Sequence, residues 1–405
     1  MSRTDVVIVG GGIAGSALAA ALAREGLGVV VLEATDEYED RVRGETMMPW
    51  GVAEARALGL EQPMLDAGAQ TTAAWVGYHE GMDPAEAEAA PLPVGSMVPG
   101  VAGCLNLRHP EACAVLAGAA SAAGADVRRG VRDIEITLGD APHVRWRQAD
   151  TTSELDCRLV VGADGRASVV RRALGIELEK QPATDHIAGL LVAADGMPDA
   201  FDFFGGAPDQ LELGFRQRDG YIRMYLVVGE SGRQRFAGAQ GARAFLDACR
   251  VDCVPFSAAI AAGEIAGPCA TYPGTETWCD RPFGNGAVLV GDAAGHSNPI
   301  IGQGLSIAMR DARVVGDAVR GGEWRDFSDY GAERLERMRR IRLEADIVGA
   351  VYAEDTDQRL ARHAVFAALR ASDERMFSVV AAIHGGPEVF PSEVFDPELL
   401  DLVRV

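Results

Sequence analysis

The sequence has little positive charge, and Lys180 is its only lysine. In 405 residues, 38 basic side chains stand against 59 acidic ones, which gives a formal net charge of -21. A chain with this balance repels nucleic-acid phosphates and anionic lipid headgroups. We therefore expect no nucleic-acid partner and no attachment to a membrane surface.

Long hydrophobic runs are also rare. The extended uncharged segment Val6 to Ala23 has glycines in its middle and follows Asp5 instead of a basic cluster. Such glycines break a spanning helix, and a secretory signal begins with positive charge. We expect no membrane span and no cleaved leader.

Cysteine chemistry is limited as well. The seven cysteines form no C-x-x-C pair and are scattered from Cys104 to Cys279. This pattern is typical of reduced thiols and supplies no set of metal ligands. The sequence thus predicts a cytoplasmic protein without a metal site.

The most specific feature that is present is a glycine turn near the amino terminus, IVGGGIAG, between an apolar strand and an Ala/Leu-rich helix. Gly10 permits the tight turn, Gly12 lets the backbone approach a pyrophosphate, and Gly15 lets the helix pack against the strand. The first helical residues, Ile13 and Ala14, present amides to the phosphates. The turn predicts a dinucleotide site.

An acidic residue completes this site. A second predicted strand, Gly28 to Leu32, ends in Glu33. A carboxylate about 20 residues past the turn accepts hydrogen bonds from the ribose hydroxyls and disfavours a 2′-phosphate. We expect Glu33 to be an exposed ribose contact, and we do not expect NADP to bind here.

Two further strand-and-turn motifs lie later in the chain. The predicted strand Arg158 to Val161 leads to an Asp-Gly pair at Asp164, and the predicted strand Gly286 to Val290 leads to a Gly-Asp pair at Asp292. In an open α/β sheet, the carboxyl ends of the strands border the ligand crevice. This position predicts a cofactor contact for Asp164, with an ordinary Asp-Gly turn as the alternative interpretation.

The three motifs occur in the same order as in the group A FAD-dependent monooxygenases of the para-hydroxybenzoate hydroxylase type, which the chain resembles. The resemblance covers about residues 5 to 320. The resemblance implies that Asp292 is a buried contact of the FAD ribityl chain. It also implies that a P-x-x-G-Q-G segment runs beneath the isoalloxazine and that the following helix directs its positive end at the flavin. The residues implied here are Pro299, Gly302, Gln303, Gly304 and Leu305.

The resemblance also assigns two arginines to FAD. Arg43 opens an Arg-Gly-Glu triplet that meets the cofactor in the family, and Arg108 matches an arginine that reaches the pyrophosphate or ribityl region. A guanidinium binds phosphate through two parallel hydrogen bonds, which suits both positions. Many members have a histidine where this chain has Gly295, so we leave the neighbouring His296 unassigned.

The implied fold class is α/β, with a Rossmann-like, glutathione-reductase-type FAD-binding domain, an interleaved mixed or antiparallel sheet that binds substrate, and carboxyl-terminal helices. The predicted divisions are 1–70, 101–180 and 268–325 for the FAD-binding domain, 71–100 and 181–267 for the substrate domain, and 326–405 for the helical region. In that region we predict helices at 330–344 and 350–371, and we predict an exposed loop at 83–93.

Alternating, aromatic-rich segments predict the substrate sheet. They are Thr72 to Tyr78 and a hairpin formed by Leu211 to Phe215 and Tyr221 to Val228. The resemblance implies that flavin-facing side chains of this sheet line the substrate pocket. The candidate lining residues are Trp75, Phe215, Met224 and Tyr272.

The reaction that the resemblance implies is monooxygenation. NADH or NADPH binds transiently and reduces FAD, and a hydroperoxide on the flavin C4a carbon then delivers one atom of dioxygen to a small, electron-rich substrate. We expect hydroxylation or epoxidation of an aromatic or polyketide-like molecule by an enzyme that holds FAD noncovalently. No residue is assigned as a catalytic base.

Other flavoprotein functions compete with this one. A reductase or dehydrogenase of an isoprenoid or other unsaturated substrate can share the Gly-Asp-Ala-Ala-Gly sequence, and a flavin-binding protein without turnover would share the cofactor contacts. A halogenase needs a lysine near the flavin and a Trp-x-Trp-x-x-Pro segment. The chain contains no Trp-x-Trp, and Lys180 lies in the wrong region, which disfavours halogenation.

Overall fold

The computed structural model describes residues 4–207 and 209–404. The strands are β1 Val6–Val9, β2 Val29–Leu32, β3 Thr46–Met47, β4 Gln70–Thr72, β5 Trp75–His79, β6 Cys104–Asn106, β7 Asp126–Arg128, β8 Val131–Thr137, β9 His143–Gln148, β10 Thr151–Asp156, β11 Leu159–Gly162, β12 Glu179–Gln181, β13 Asp185–Ala193, β14 Asp202–Ala207, β15 Gln210–Arg216, β16 Tyr221–Gly229, β17 Glu264–Ile265, β18 Ala270–Pro273, β19 Glu276–Trp278, β20 Phe283–Gly284 and β21 Ala287–Leu289. The α-helices are α1 Ile13–Arg24, α2 Pro49–Ala57, α3 Glu61–Asp66, α4 Pro84–Ala89, α5 His109–Ala122, α6 Val169–Ala173, α7 Gly241–Ala248, α8 Ser257–Ala262, α9 Gly304–Arg320, α10 Ser328–Tyr352, α11 Arg359–Ser372, α12 Glu374–Gly385 and α13 Glu398–Val403.

Six strands form the sheet that carries the glycine turn, in the order β20-β21-β11-β1-β2-β7. Pairing is parallel from β21 to β7, and β20 is an antiparallel edge strand. The strands β1, β2 and β11 are apolar and buried along their whole length, as expected for parallel strands covered on both faces. The predicted Rossmann-like α/β fold class is confirmed.

Side chains of β1 alternate between two cores. Val6 and Ile8 share a core with helices α1, α5 and α9, whereas Val7 and Val9 face a core that includes Trp146 of the three-stranded sheet β8-β9-β10. The three sequence motifs follow β1, β11 and β21, which are adjacent strands of the six-stranded sheet. The motifs therefore meet at one edge of that sheet.

A second sheet has seven strands, in the order β17-β13-β16-β15-β14-β5, with β18 paired to β13. It contains the predicted hairpin as β15 and β16, while β5 runs parallel to β14. The predicted division at residue 268 had assigned Tyr272 to the FAD-binding part. Its strand β18 instead pairs with β13, so the division cuts this sheet.

The two faces of the second sheet contact different partners. Phe215 and Tyr225 lie in a core shared with the carboxyl-terminal helices, and Trp75 of β5 lies in the same core. Met224 and Leu226 lie in another core with side chains of α7. This division follows from the two-residue period of a strand. We call the face of the sheet that carries Phe215 and Tyr225 the inner face, and the face that carries Met224 and Leu226 the outer face.

Helices α10 to α13 cover the inner face, because side chains of α10, α12 and α13 join its core. The helix α10 runs unbroken over 25 residues, so it contains the predicted helix 330–344 and the first residues of the predicted helix 350–371. Most of the remainder of that second predicted helix lies in α11. The prediction also missed α12, and the segment predicted as a loop contains α4, which Asp83 caps. Across 4–207 and 209–404, no helix has the length and apolar character needed to cross a membrane.

Candidate cofactor and substrate site

The glycine turn between β1 and α1 has the crowding that its three glycines imply. Gly10 has φ +102°, and a Cβ there would stand 2.3 Å from the Ala163 carbonyl oxygen. A Cβ at Gly15 would stand 2.0 Å from the Gly10 carbonyl oxygen, whereas one at Gly12 would meet no atom within 4 Å. Packing therefore explains Gly10 and Gly15, while Gly12 borders open space.

The amino terminus of α1 has amides available for an anion. Gly12 is the N-cap residue and supplies no side chain, and Ile13 and Ala14 form the first turn. The first amides of a helix have no partner within the helix, and its dipole places partial positive charge at this end. A phosphate group fits here.

Glu33 lies directly behind the turn and is only 9% exposed, although we expected an exposed residue. Its Oε2 accepts a hydrogen bond of 2.7 Å from the Gly11 amide, and its Oε1 accepts bonds of 2.8 Å from the amide and the hydroxyl of Thr35. Tyr38 also donates to the Gly11 carbonyl oxygen, at 2.5 Å. Glu33 thus positions the turn in addition to any ribose contact.

Asp164 precedes the short helix α6, whose N-cap residue is Ser168. Its Oδ1 accepts a bond of 2.6 Å from the Ser168 hydroxyl, and its Oδ2 accepts one of 2.5 Å from the Val169 amide. Burial raises the pKa of Asp164, which these bonds partly oppose. The structure gives this aspartate a local role, and its contact with FAD stays a prediction.

Asp292 lies in a turn of 3-10 helix that directly follows β21, at Gly291–Ala294. Its side chain is 38% exposed and lies 3.4 Å from Nε of Arg166. This exposure differs from the buried contact that we expected. The carboxylate is accessible to a ligand at the edge where the three motifs meet.

Sequence reasoning missed the residues that hold this turn. Asp311 of α9 accepts a bond of 2.8 Å from the Gly291 amide and pairs with Arg334 and Arg337 of α10, and all three side chains are buried. Arg334 also donates to the carbonyl oxygens of three residues in the turn, Gly291, Ala294 and Gly295. Single-sequence patterns carry no signal for this pairing, because the three charged residues lie on two different helices and meet only through tertiary packing.

The P-x-x-G-Q-G segment forms a second turn of 3-10 helix, Pro299–Ile301, followed by Gly302 in the left-handed conformation at φ +65°. Gln303 is fully buried and is the N-cap residue of α9, but its side chain does not cap the helix. Its Oε1 accepts from Trp50 Nε1, and its Nε2 donates to the carbonyl oxygens of Ile301 and Ile383.

The amino end of α9 therefore resembles that of α1. Within the described part of the chain, no side chain caps its first amides, and a Cβ at Gly304 would meet no atom within 4 Å. Leu305 packs into the core shared with α1. Two uncapped helix ends, each beside open space, fit a cofactor with a diphosphate and a flavin ring that carries negative charge when reduced.

The two predicted arginines lie in different surroundings. Arg43 is exposed, and its charge contributes, after burial, to lowering the pKa of His109. Arg108 pairs with Glu111, and its guanidinium carbon lies 5.7 Å from the centroid of the Tyr221 ring at the end of the hairpin. Both contacts with FAD remain predictions.

A buried charged network anchors the segment that contains Arg43. Arg223 of β16 lies 2.6 Å from Asp40 and 3.3 Å from Glu45, and the Tyr225 hydroxyl donates to Glu45. Burial raises the pKa of Glu45, and Arg223 opposes this shift. The network joins the inner face of the second sheet to the Arg-Gly-Glu triplet.

Aromatic rings line the inner face. The ring centroids of Trp75 and Phe215 lie 5.5 Å apart, and those of Phe215 and Tyr225 lie 6.0 Å apart. Tyr272 packs against the same core and donates to the Arg41 carbonyl oxygen at 2.6 Å. Met224 lies on the opposite face, because it alternates with Arg223 and Tyr225 along β16. Among the candidates for substrate contact, we therefore replace Met224 by Tyr225.

Comparisons with known proteins agree with this geometry. Residues 3–321 match the model of the FAD binding domain family. The chain is 27% identical over 328 residues to digeranylgeranylglycerophospholipid reductase 2 of Methanothermobacter thermautotrophicus, covering 78% of this chain and 77% of the relative. It is 28% identical over 331 residues to squalene epoxidase 2 of Arabidopsis thaliana, covering 79% of this chain and 54% of the relative.

The fold is shared with solved flavoproteins. The p-nitrophenol 4-monooxygenase of Pseudomonas putida superposes with a TM-score of 0.75 at 19% identity, covering 100% of this chain and 99% of that chain. This likeness shows that the two chains share one fold. The chain belongs to the FAD binding domain family, so it is an oxidoreductase with FAD as its cofactor.

Proposed function

We propose that the protein is a monooxygenase that consumes NADH or NADPH and hydroxylates or epoxidises a small, electron-rich organic molecule. The substrate is aromatic or polyketide-like, and the second co-substrate is dioxygen. FAD, when bound, supplies the chemistry of accepting electrons from the nicotinamide and activating dioxygen.

The observation that carries this proposal is the relation between the amino end of α9 and the inner face of the second sheet. Gln303 at that end donates to α12, and α12 packs in the core that contains Trp75 and Phe215. The uncapped helix end therefore lies next to a covered aromatic surface. Partial positive charge stabilises negative charge on a reduced flavin, and a neighbouring apolar surface that excludes water protects reactive intermediates from hydrolysis.

In this proposal, different residues bind the different parts of FAD and the substrate. Gly12, Ile13, Ala14 and the α1 amides hold the pyrophosphate, and Glu33 takes the ribose. Asp292 takes the ribityl chain. Trp75, Phe215, Tyr225 and Tyr272 hold an apolar ring and exclude water, since aromatic side chains offer large apolar surfaces with defined geometry.

Labelled dioxygen tests the reaction. The purified holoenzyme is supplied with NADH or NADPH and with candidate phenols, polyketide-like rings and alkenes under ¹⁸O₂, and the products are analysed by mass spectrometry. We expect one labelled oxygen atom in the product. We also expect the correct substrate to accelerate nicotinamide oxidation.

A reductase of an isoprenoid substrate is the second candidate. It is favoured by the match to a digeranylgeranylglycerophospholipid reductase over most of both chains. An enzyme of that kind forms its product at full rate under argon and incorporates no label in air. The same measurement under the two atmospheres therefore separates the candidates.

A further inference from the structure

One histidine of the carboxyl-terminal helices is buried without a polar partner. His384 lies near the end of α12 and is 5% exposed. Among residues 4–207 and 209–404, neither its Nδ1 nor its Nε2 has a hydrogen-bond partner. A neutral imidazole has one donor and one acceptor, and buried polar atoms in native proteins are nearly always paired. The ring is therefore unusual enough to require an explanation.

Among the buried histidine rings of residues 4–207 and 209–404, His384 is the one in which both nitrogens lack a partner, and His296 shows a paired ring. His296 is comparably buried, yet its Nδ1 lies 2.8 Å from the Thr277 hydroxyl and its Nε2 lies 3.3 Å from the Thr275 hydroxyl. A histidine kept for packing alone would be replaced by an apolar residue at lower cost in stability. His384 thus has the character of a group whose partner comes from outside the chain.

His384 belongs to the aromatic wall of the inner face. Its ring centroid lies 5.0 Å from that of Trp75, with an interplanar angle of 85°, and Trp75 in turn contacts Phe215. The wall therefore extends from α12 across β5 and β15. His384 is the member of this wall with two unpaired nitrogen atoms.

The same residue is tied to the segment proposed to lie beneath the flavin. The carbonyl oxygen of Ile383, its neighbour in the chain, accepts a bond of 3.0 Å from Gln303 Nε2. His384 is thus held between the P-x-x-G-Q-G segment and the aromatic wall.

We propose that His384 contacts the substrate and binds a hydroxyl group on an otherwise apolar ring. This inference rests on the proposed function and deepens it, since it assigns a hydroxylated, phenol-like molecule to the site. The substrate hydroxyl group donates a hydrogen bond to the imidazole, and this bond fixes which ring carbon of the substrate faces the flavin. Burial, with a smaller effect of Arg370, lowers the pKa of His384 to about 4. The ring is therefore neutral at pH 7 and has a nitrogen lone pair available.

A pair of probes tests this contact. The dissociation constants of 1-naphthol and of naphthalene are measured on the oxidised holoenzyme from the perturbation of the flavin absorbance spectrum, for the wild type and for His384→Phe. We expect the wild type to prefer 1-naphthol by about tenfold, as one hydrogen bond to a buried acceptor allows. We expect His384→Phe to bind the two probes about equally. Absence of the preference in the wild type, or its survival in the variant, overturns the proposal.

Stability measurements separate this role from a packing role. Because His384 has no hydrogen-bond partner among residues 4–207 and 209–404, His384→Phe and the smaller His384→Leu are expected to unfold at a Tm no lower than the wild type. His296→Leu, which removes a paired ring, is expected to lower Tm. If both His384 variants are clearly destabilised, the residue is structural and the proposal fails.

The binding measurement involves no turnover, so it is independent of the reaction class. Loss of the hydroxyl preference on substitution, combined with a product that carries no ¹⁸O, supports the contact and rejects the monooxygenase. An ¹⁸O-labelled product with no hydroxyl preference supports the monooxygenase and rejects the contact of His384.

Discussion

Gln303 Nε2 donates a hydrogen bond of 3.0 Å to the carbonyl oxygen of Ile383, which joins the amino end of α9 to the last turn of α12. The same side chain accepts a bond of 2.8 Å from Trp50 Nε1. One buried amide therefore connects three separate parts of the chain around the proposed flavin site. Its position joins the carboxyl-terminal helices to the segment proposed to lie beneath the flavin.

The first prediction concerns this connection. Gln303→Leu leaves the Trp50 indole N–H and two carbonyl oxygens without partners in a buried place, which is expected to cost about 3 kcal/mol of the free energy of unfolding. Urea denaturation of the holoenzyme measures this change. We also expect faster release of FAD, since the amino end of α9 loses its support.

Gln62→Leu serves as the matched control. Gln62 is an exposed amide with one hydrogen bond, to Asp66 of the same helix α3. Its substitution is expected to change the free energy of unfolding by less than about 0.5 kcal/mol. Equal effects of the two substitutions would show that the Gln303 bridge does not stabilise the protein.

The glycine turn gives a second prediction. Gly12→Ala adds a Cβ that meets no protein atom, so the apoprotein should keep its Tm, while the affinity for FAD should fall at least tenfold because the methyl group occupies space needed by the pyrophosphate. Gly15→Ala adds a Cβ 2.0 Å from the Gly10 carbonyl oxygen and should destabilise the apoprotein itself. Flavin fluorescence titration and thermal melts measure the two quantities.

Gly118→Ala is the control for this pair. Gly118 is exposed within α5 and is also free of nearby atoms, so alanine there should leave FAD affinity unchanged and stabilise the helix by up to about 1 kcal/mol. Unchanged FAD affinity in Gly12→Ala would place the pyrophosphate elsewhere.

The sequence predicted the glycine turn better than its surroundings. The strand, the turn and helix α1 follow from local patterns, whereas Glu33 is more buried and Asp292 more exposed than expected, and their contacts with FAD stay predictions. The two-residue period of a strand implies that neighbours such as Met224 and Tyr225 point in opposite directions. It did not show which direction faces the flavin, because that depends on how the two sheets pack.

Long-range partners were beyond prediction for a different reason. Asp311 and Arg334 lie on different helices, and their pairing with the Gly291 turn depends on tertiary packing alone. His384 lies on a short helix with no recognisable motif. That its ring has no hydrogen-bond partner among the described residues is a property of the folded state alone. Single-sequence patterns carry no signal for either arrangement.

A third prediction follows from the unexpected burial of Glu33 and exposure of Asp292. Glu33→Ala removes the acceptor of the Gly11 and Thr35 amides, so it is expected to lower both the affinity for FAD and the stability of the apoprotein, the latter by about 1 to 3 kcal/mol. Asp292→Ala removes only a half-exposed ion pair with Arg166, so apoprotein stability should change by less than about 1 kcal/mol. FAD affinity should still fall.

Isothermal titration with FAD and melts of the apoprotein distinguish these outcomes. Arg166→Ala is the control for the ion pair, since it breaks the same contact from the other side. If Asp292→Ala leaves FAD affinity intact, the ribityl assignment is wrong. If Glu33→Ala leaves the apoprotein unchanged, its hydrogen bonds to the turn contribute no stability.

The last prediction concerns stability as a function of pH. Glu212 of β15 is fully buried on the outer face of the second sheet, and burial raises its pKa to about 8, which the neighbouring Cys249 opposes only in part. In the unfolded chain this carboxyl has its ordinary pKa of 4.5. Between these values the native state retains a proton that the unfolded state has released. The contribution of Glu212 is therefore complete below pH 4.5 and is lost as the pH rises to about 8.

Glu212→Gln replaces the carboxyl by a neutral group of the same shape and removes this dependence. We expect the stability of the variant relative to wild type to increase from pH 5 to pH 8, by at most about 1.4 kcal/mol per pH unit. Urea denaturation at several pH values measures the difference, in which all other titrating groups cancel. Glu264→Gln, at an exposed position of β17, should give a difference that does not vary with pH. Parallel pH curves for Glu212→Gln and wild type would mean that Glu212 is ionised in the folded protein at neutral pH.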